Sequence, residues 1–207
     1  LTLRALPIDP PVPPQPIASD GRTASTASNA VDLDPKTAWT TPVGEASALT
    51  LDLGYEREFG GLTLRWGERG AASDYRVSAS MDGRDWQPLT TVTGGNGGVD
   101  WLRTPEATAR WLRLEPLKPV PASDVVGSSG AGQRLGAGQA TTYALNEIEV
   151  EPLTFGADPT VFLKAVAKEN RRGLYPRGFS GEQSYWTLIG VDGGGESGLI
   201  GEDGAIE

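Results

Sequence analysis

Ala30-Val-Asp-Leu-Asp-Pro-Lys-Thr-Ala-Trp39 sets two carboxylates and a hydroxyl, those of Asp32, Asp34 and Thr37, within six residues of one another. The loop that carries them also offers carbonyl oxygens. Hard cations such as calcium take six to eight oxygen ligands with a tolerant geometry, so the segment is a candidate cation loop. A turn capped by its own Asp side chains explains the same residues without an ion. The stretch on either side decides what kind of scaffold holds it.

Downstream, apolar residues alternate in short runs that end at turn residues. Leu49, Leu51 and Leu53 stop at Gly54, and Leu62, Leu64 and Trp66 stop at Gly67. Tyr75, Val77, Ala79 and Met81 stop at Asp82-Gly83, and Trp86 opens the next run. Val99 to Arg103 and Trp111 to Leu114 give two further candidate strands. Period-two patterning broken by regular turns predicts an antiparallel β-sandwich or barrel. Near the end of this region Tyr143 and Leu145 share one phase and Ile148 and Val150 the other. The phase break at Asn146-Glu147 predicts a β-bulge.

Composition removes whole classes of chemistry. The 207 residues include no cysteine and no histidine, so disulfides, thiolate nucleophiles, Ser-His-Asp triads and the usual zinc hydrolase sites are excluded. The net charge of −9 is a poor match for nucleic-acid phosphates or anionic lipid surfaces. No apolar run reaches membrane-spanning length. The chain opens on Leu1 with no signal-peptide pattern, as a mature form or a fragment would.

The flanks read differently from the middle. Leu1 to Leu6 alternate weakly, and six prolines fall between Pro7 and Pro16, so residues 1–16 are expected to form an extended linker. Pro116 to Thr142 encloses a Gly-, Ser- and Ala-rich loop. After Leu153, Asp158-Pro159 is an N-cap followed by proline at the first helical position, Phe162 and Val166 share a face, and Gly173 is a stop. A helix of roughly 13 residues follows from these signals. Strands are expected at Tyr185 to Val191 and at Leu199-Ile200. Residues 154–207 hold few apolar groups, so they belong either to a following domain or against the sandwich.

Five elements in order resemble the discoidin family, also called the coagulation factor 5/8 type C domain. The first is Ala30, Asp32, Asp34, Thr37 and Trp39; the second is Asp52-Leu53-Gly54. Then come Tyr75, Val77, Ser80, Asp82, Gly83 and Trp86, followed by Ala109, Arg110, Trp111, Arg113 and Leu114. Leu145-Asn-Glu-Ile-Glu-Val150 closes the set. The resemblance spans residues 17–153 and implies an all-β, eight-stranded antiparallel jelly-roll-like sandwich, here with a C-terminal extension of a short helix plus a β-hairpin. It also implies a structural calcium ion held by Asp32, Asp34, Thr37 and Glu147. Leu33 stands where that family usually has glycine, which is costly if φ is positive there.

Trp39, Trp66, Trp86 and Trp111 are expected to pack in the core. Trp101 is different, because it and Leu102 cannot both face inward. Sugars pack their C–H faces on aromatic rings and need polar groups around them. Trp101, with Glu68, Arg69 and Arg134, is therefore the candidate carbohydrate-binding set. The C-terminal stretch, Tyr175 to Trp186 with Gly190 to Gly193 and Glu202 to Glu207, resembles the join between a discoidin domain and a glycoside hydrolase region in large bacterial proteins. Glu182, Glu202 and Asp203 are not held across any cleft the sequence defines, so no catalytic residue is assigned. The resemblance implies a non-catalytic carbohydrate-binding module, similar to family 32 modules. Its partners would be a glycan and the catalytic domain of a secreted or periplasmic bacterial enzyme. The alternative is a structural or protein-interaction sandwich that packs against such a domain.

Overall fold

The computed structural model describes residues 15–67, 70–95, 97–121, 140–169, 177–180 and 183–184. The linker expected at residues 1–16 therefore falls almost wholly outside the described residues, as do the strands expected at 185–191 and 199–200.

Among the described residues, seven antiparallel strands build the sandwich: β1 (Ile17–Ser19), β2 (Trp39–Pro42), β3 (Leu49–Trp66), β4 (Ala72–Ser80), β5 (Gln87–Val92), β6 (Val99–Pro119) and β7 (Thr142–Glu151). The expected β-sandwich is what the chain forms. Two strands, β3 and β6, are long enough to serve both layers. The first part of β3 pairs with β1 and with β6 residues 111–114, while its second part, 61–65, pairs with β7 and with β6 residues 99–103. The far part of β6 pairs with β4, which pairs with β5, and β7 pairs with β2.

The corner lies in the middle of β3. Gly54 has φ +83° and donates its N–H to Asp52 Oδ1 at 2.9 Å, and the β3–β6 register shifts between Asp52 and Arg57 and again between Phe59 and Gly61. The shift inverts the side-chain phase. Leu49, Leu51 and Leu53 face inward before the corner, and Leu62, Leu64 and Trp66 face inward after it. All six join one core with Trp39, Tyr75, Val77, Leu102, Leu112, Leu114, Tyr143, Leu145 and Ile148.

The bulge predicted at Asn146-Glu147 is present. Arg65 pairs with Glu147 but the next residue, Trp66, pairs with Leu145, so Asn146 is the extra residue.

Two of the four tryptophans expected in the core, Trp39 and Trp66, are buried there. Trp86 and Trp111 are only half-buried, on the outer side of β6, and arginines cover them instead. The Arg113 guanidinium stands 3.9 Å from the Trp86 ring centroid and that of Arg110 5.3 Å from the Trp111 centroid.

After β7 come α1 (Leu153–Gly156) and α2 (Pro159–Glu169), then β8 (Arg177–Ser180) and β9 (Gln183–Ser184). The cap read from Asp158 holds: its Oδ1 accepts the N–H of Thr160 at 2.7 Å and of Val161 at 3.2 Å. Phe162 and Val166, expected to share a face, are both buried. β8 adds to β6 in parallel at residues 100–103, and β9 folds back on β8. No helix among the described residues is long and apolar enough to cross a membrane.

Candidate functional site

The loop between β1 and β2 is built on its own hydrogen bonds. Asp32 Oδ1 accepts the N–H of Asp34 at 2.9 Å, and Asp32 Oδ2 accepts the Thr37 hydroxyl at 2.8 Å. Asp34 Oδ1 accepts the N–H of Lys36 at 3.0 Å, and the Asp34 carbonyl accepts the N–H of Thr37 at 3.2 Å. These are the Asp-capped turns that the sequence alone allows.

The same loop is fastened to the middle of β7. Leu33 donates its N–H to Glu147 Oε2 at 3.0 Å, and Asn146 Nδ2 donates to the Pro35 carbonyl at 2.6 Å. Asp32 and Thr37 are hydrogen-bonded to each other, and Glu147 reaches the same loop through the Leu33 N–H. The bulge makes this possible, since the extra residue lets Asn146 and Glu147 both reach the loop. Leu33 has φ +63° and is 64% exposed, so the backbone is strained to aim its N–H and the side chain gains no burial in return. Sequence reasoning passed over Asn146 as a member of this clasp, although the phase break that marks the bulge falls on it.

Glu147 is buried, at 4% exposure. Burial pushes its carboxyl up, and the charges of Asp32 and Glu149 add to the rise; the Leu33 N–H and the Arg65 charge oppose it, leaving the value at about 7. A buried carboxylate beside like charge is a place where a cation is favoured. The donors are all oxygen, which suits a hard ion. The described residues nevertheless hold no ready-made group of three metal-ligating His, Cys, Asp or Glu side chains. Both carboxylate oxygens of Asp32, and Oδ1 of Asp34, accept hydrogen bonds inside the loop. Calcium fits the chemistry of the donors, and it would have to share them with those turns.

A second anchor stands beside the first. Asp20 Oδ2 accepts Trp39 Nε1 at 2.8 Å and Arg22 Nε at 2.8 Å, and Arg22 also reaches the Thr40 carbonyl. Burial pushes the Asp20 carboxyl up, but the hydrogen bonds from Arg22, Ser25 and Trp39 outweigh it and hold the group well below the usual carboxylate range. No motif in the sequence pointed to Asp20.

Several connections meet at one end of the sandwich. Val43 N–H donates to Thr141 O at 2.9 Å, Gly67 N–H to Ala144 O at 2.9 Å, and Ala144 N–H to Gly70 O at 2.7 Å. Trp66 N–H donates to Gly98 O at 2.7 Å, Gly95 N–H to Ser73 O at 2.8 Å, and Val120 N–H to Ala71 O at 2.9 Å. Beneath this loop end the buried Asp100 accepts Trp66 Nε1 at 2.9 Å and the Tyr75 hydroxyl at 2.8 Å. Burial first, and the Asp100 charge second, push the Tyr75 hydroxyl well above its ordinary value.

Of the candidate carbohydrate-binding residues, Glu68, Arg69 and Arg134 lie outside the described residues, and the first two fall between Gly67 and Gly70 of the loop end. Trp101 is corrected. It is 6% exposed and packs under α2 with Phe162 and Val166, so it has no face to offer a sugar. Its neighbour Leu102 takes the inward position in the sandwich core.

The F5/8 type C domain matches residues 16–129. The chain belongs to the F5/8 type C domain family. Solved structures agree on the fold. Chitosan-binding module 2 of a chitosanase/glucanase from Paenibacillus sp. IK-5, solved with chitotriose, is similar with a TM-score of 0.52 at 19% identity, over 66% of this chain and 96% of that one. Chitosan-binding module 1 of the same enzyme gives 0.51 at 23% identity, over 66% and 94%. The Clostridium perfringens module CpGH89CBM32-6 gives 0.50 at 16% identity, over 67% and 94%. No curated protein matches this F5/8 type C domain chain.

Proposed function

We propose that this F5/8 type C domain is a non-catalytic, calcium-stabilised carbohydrate-binding module of a larger secreted bacterial carbohydrate-active enzyme, a glycoside hydrolase. The observation that carries the reading is the shared fold: a chitosan-binding module of a chitosanase/glucanase has it and was solved in complex with chitotriose.

The glycan would sit at the loop end, where the β3–β4, β5–β6 and β6–β7 connections meet. Glu68, Arg69 and Arg134 are retained as the polar part of that site, and Trp101 is not. Calcium would be held by Asp32, Thr37 and Glu147, with Asp34 beside them, tying the first long loop to β7. The support for an ion is the buried Glu147 carboxyl set against Asp32 among oxygen donors only.

Titration calorimetry of the whole chain tests the reading, with oligosaccharides of galactose, glucose, mannose, glucosamine and uronic acids, each with calcium and with chelator. Saturable binding to at least one glycan class is expected. Heat flat across the whole panel in both conditions would remove the carbohydrate-binding assignment. A glycan-binding protein whose melting temperature ignores calcium would remove the ion alone.

A further inference from the structure

The sandwich is complete at Glu151, yet the chain does not leave it there. The solved modules of the same fold cover about two thirds of this chain while using nearly all of their own. The helices α1 and α2 follow the last strand of the sandwich. Three glycines fit α1 onto β3. A Cβ on Gly60 would stand 2.5 Å from the Pro152 carbonyl and 2.6 Å from the Leu153 carbonyl. One on Gly61 would meet the Phe155 ring at 2.5 Å, and one on Gly156 would run into the Gly60 carbonyl. Backbone lies on backbone here, which only glycine permits on both sides.

The contact continues along β6. Trp101, Phe162 and Val166 form a second apolar cluster, separate from the sandwich core, with Val99, Phe155 and Leu163 packed against it. Phe155 and Phe162 meet edge to face, with centroids 5.2 Å apart. The Asp158 carboxyl is held below its usual range, first by the N–H groups of Val161 and Thr160 and also by the charge of Arg103 on β6. Finally β8 occupies the edge of β6 at residues 100–103, where unpaired backbone groups would otherwise be open to another strand.

We infer that α1 and α2, with β8 and β9, are a docked arm of the sandwich, whose partner surface is the outer face of β6 at Val99 and Trp101 together with the adjoining β6 edge. The arm folds as one body with the sandwich, so the unit that folds extends past Leu153. The arm does not rest on the function proposed above.

Hydrogen exchange on the full chain, as wild type, Gly156→Ala and Phe162→Ala, tests this. In the wild type the amides of Phe162 and Val166 should exchange as slowly as those of residues 100–103, on the order of a hundredfold or more below free-peptide rates. In both variants α2 should lose protection together with those amides of residues 100–103 that face β8, while the amides of these residues that face β3, and residues 111–114 of the same strand, keep theirs. Acrylamide should at the same time quench one more tryptophan, and the gain should vanish when Trp101→Phe is added. Free-peptide exchange of α2 in the wild type would overturn the inference, even if neither variant folds. So would variants in which α2 opens while the amides facing β8 and Trp101 stay protected.

Discussion

Across 114 residues of chain, the backbone N–H of Leu33 donates to Glu147 Oε2 at 3.0 Å. The bond exists because Leu33 accepts a left-handed backbone, φ +63°, that leucine disfavours by about 1 to 3 kcal/mol. Its side chain is mostly exposed, so no packing offsets the cost. Leu33→Gly should therefore stabilise the protein. Part of the relief is cancelled by the greater freedom of glycine in the unfolded chain, leaving about 1 kcal/mol. Thermal unfolding should show a rise of a few degrees. A fall would mean that the exposed leucine makes a contact this structure does not contain.

Glu147 is the other half of that bond. Its carboxyl is raised by burial and by Asp32 and Glu149, so in chelator its charge opposes folding at pH 8. Glu147→Gln should then be as stable as the wild type or slightly more so. Calcium should reverse the order. A cation present at a hundred times its dissociation constant adds about 2.7 kcal/mol to a protein that binds it only when folded. The wild type should gain several degrees in melting temperature and the variant little. Equal calcium responses would take Glu147 out of the ligand set.

How this clasp and its scaffold were legible in the sequence depends on what each residue had to disclose. Inward alternation in β3, β4 and β7 is a one-dimensional signal, and so is the phase break at Asn146-Glu147; both came through. The family pattern joined the loop of Asp32, Asp34 and Thr37 to Glu147, and the structure joins that loop to Glu147 through the Leu33 N–H. Trp101 was misread because alternation says only that two neighbours face opposite sides. It cannot say that both sides are covered, and here α2, far along the chain, covers the second. Trp86 and Trp111 sit halfway for a related reason: arginines on β6 supply the lid that a core would otherwise give. Asp20 had no signature, because an Asp two residues before an Arg is common and its distant partner, Trp39, is joined to it only by the fold.

Trp101→Ala distinguishes packing from ligand contact. Removing a buried tryptophan should cost about 3 to 5 kcal/mol. Glycan affinity, measured per folded molecule at low temperature, should not change, because the ring is closed off by Phe162 and Val166. Loss of affinity with unchanged melting temperature would restore Trp101 to the binding site.

Asp20 sets the acid side of the stability curve. Its carboxyl is lowered in the folded state, since the hydrogen bonds from Arg22, Ser25 and Trp39 outweigh its burial. A lowered carboxyl stabilises the fold above its unfolded value, near 3.8, and that contribution is lost as the pH falls below it toward the folded value. Asp20→Asn should cost about 2 kcal/mol at pH 7, because an amide nitrogen must face donors that expect an acceptor. It should also flatten the acid limb, so that the variant and the wild type converge in melting temperature as the pH drops from 5 to about 2. Asp20 ties the strand entering the sandwich to Trp39, the residue that closes the clasp loop, so the calcium gain measured at pH 7 should shrink in the same variant. If the two curves stay parallel down to low pH, the charge on Asp20 contributes nothing and only the shape of its side chain matters.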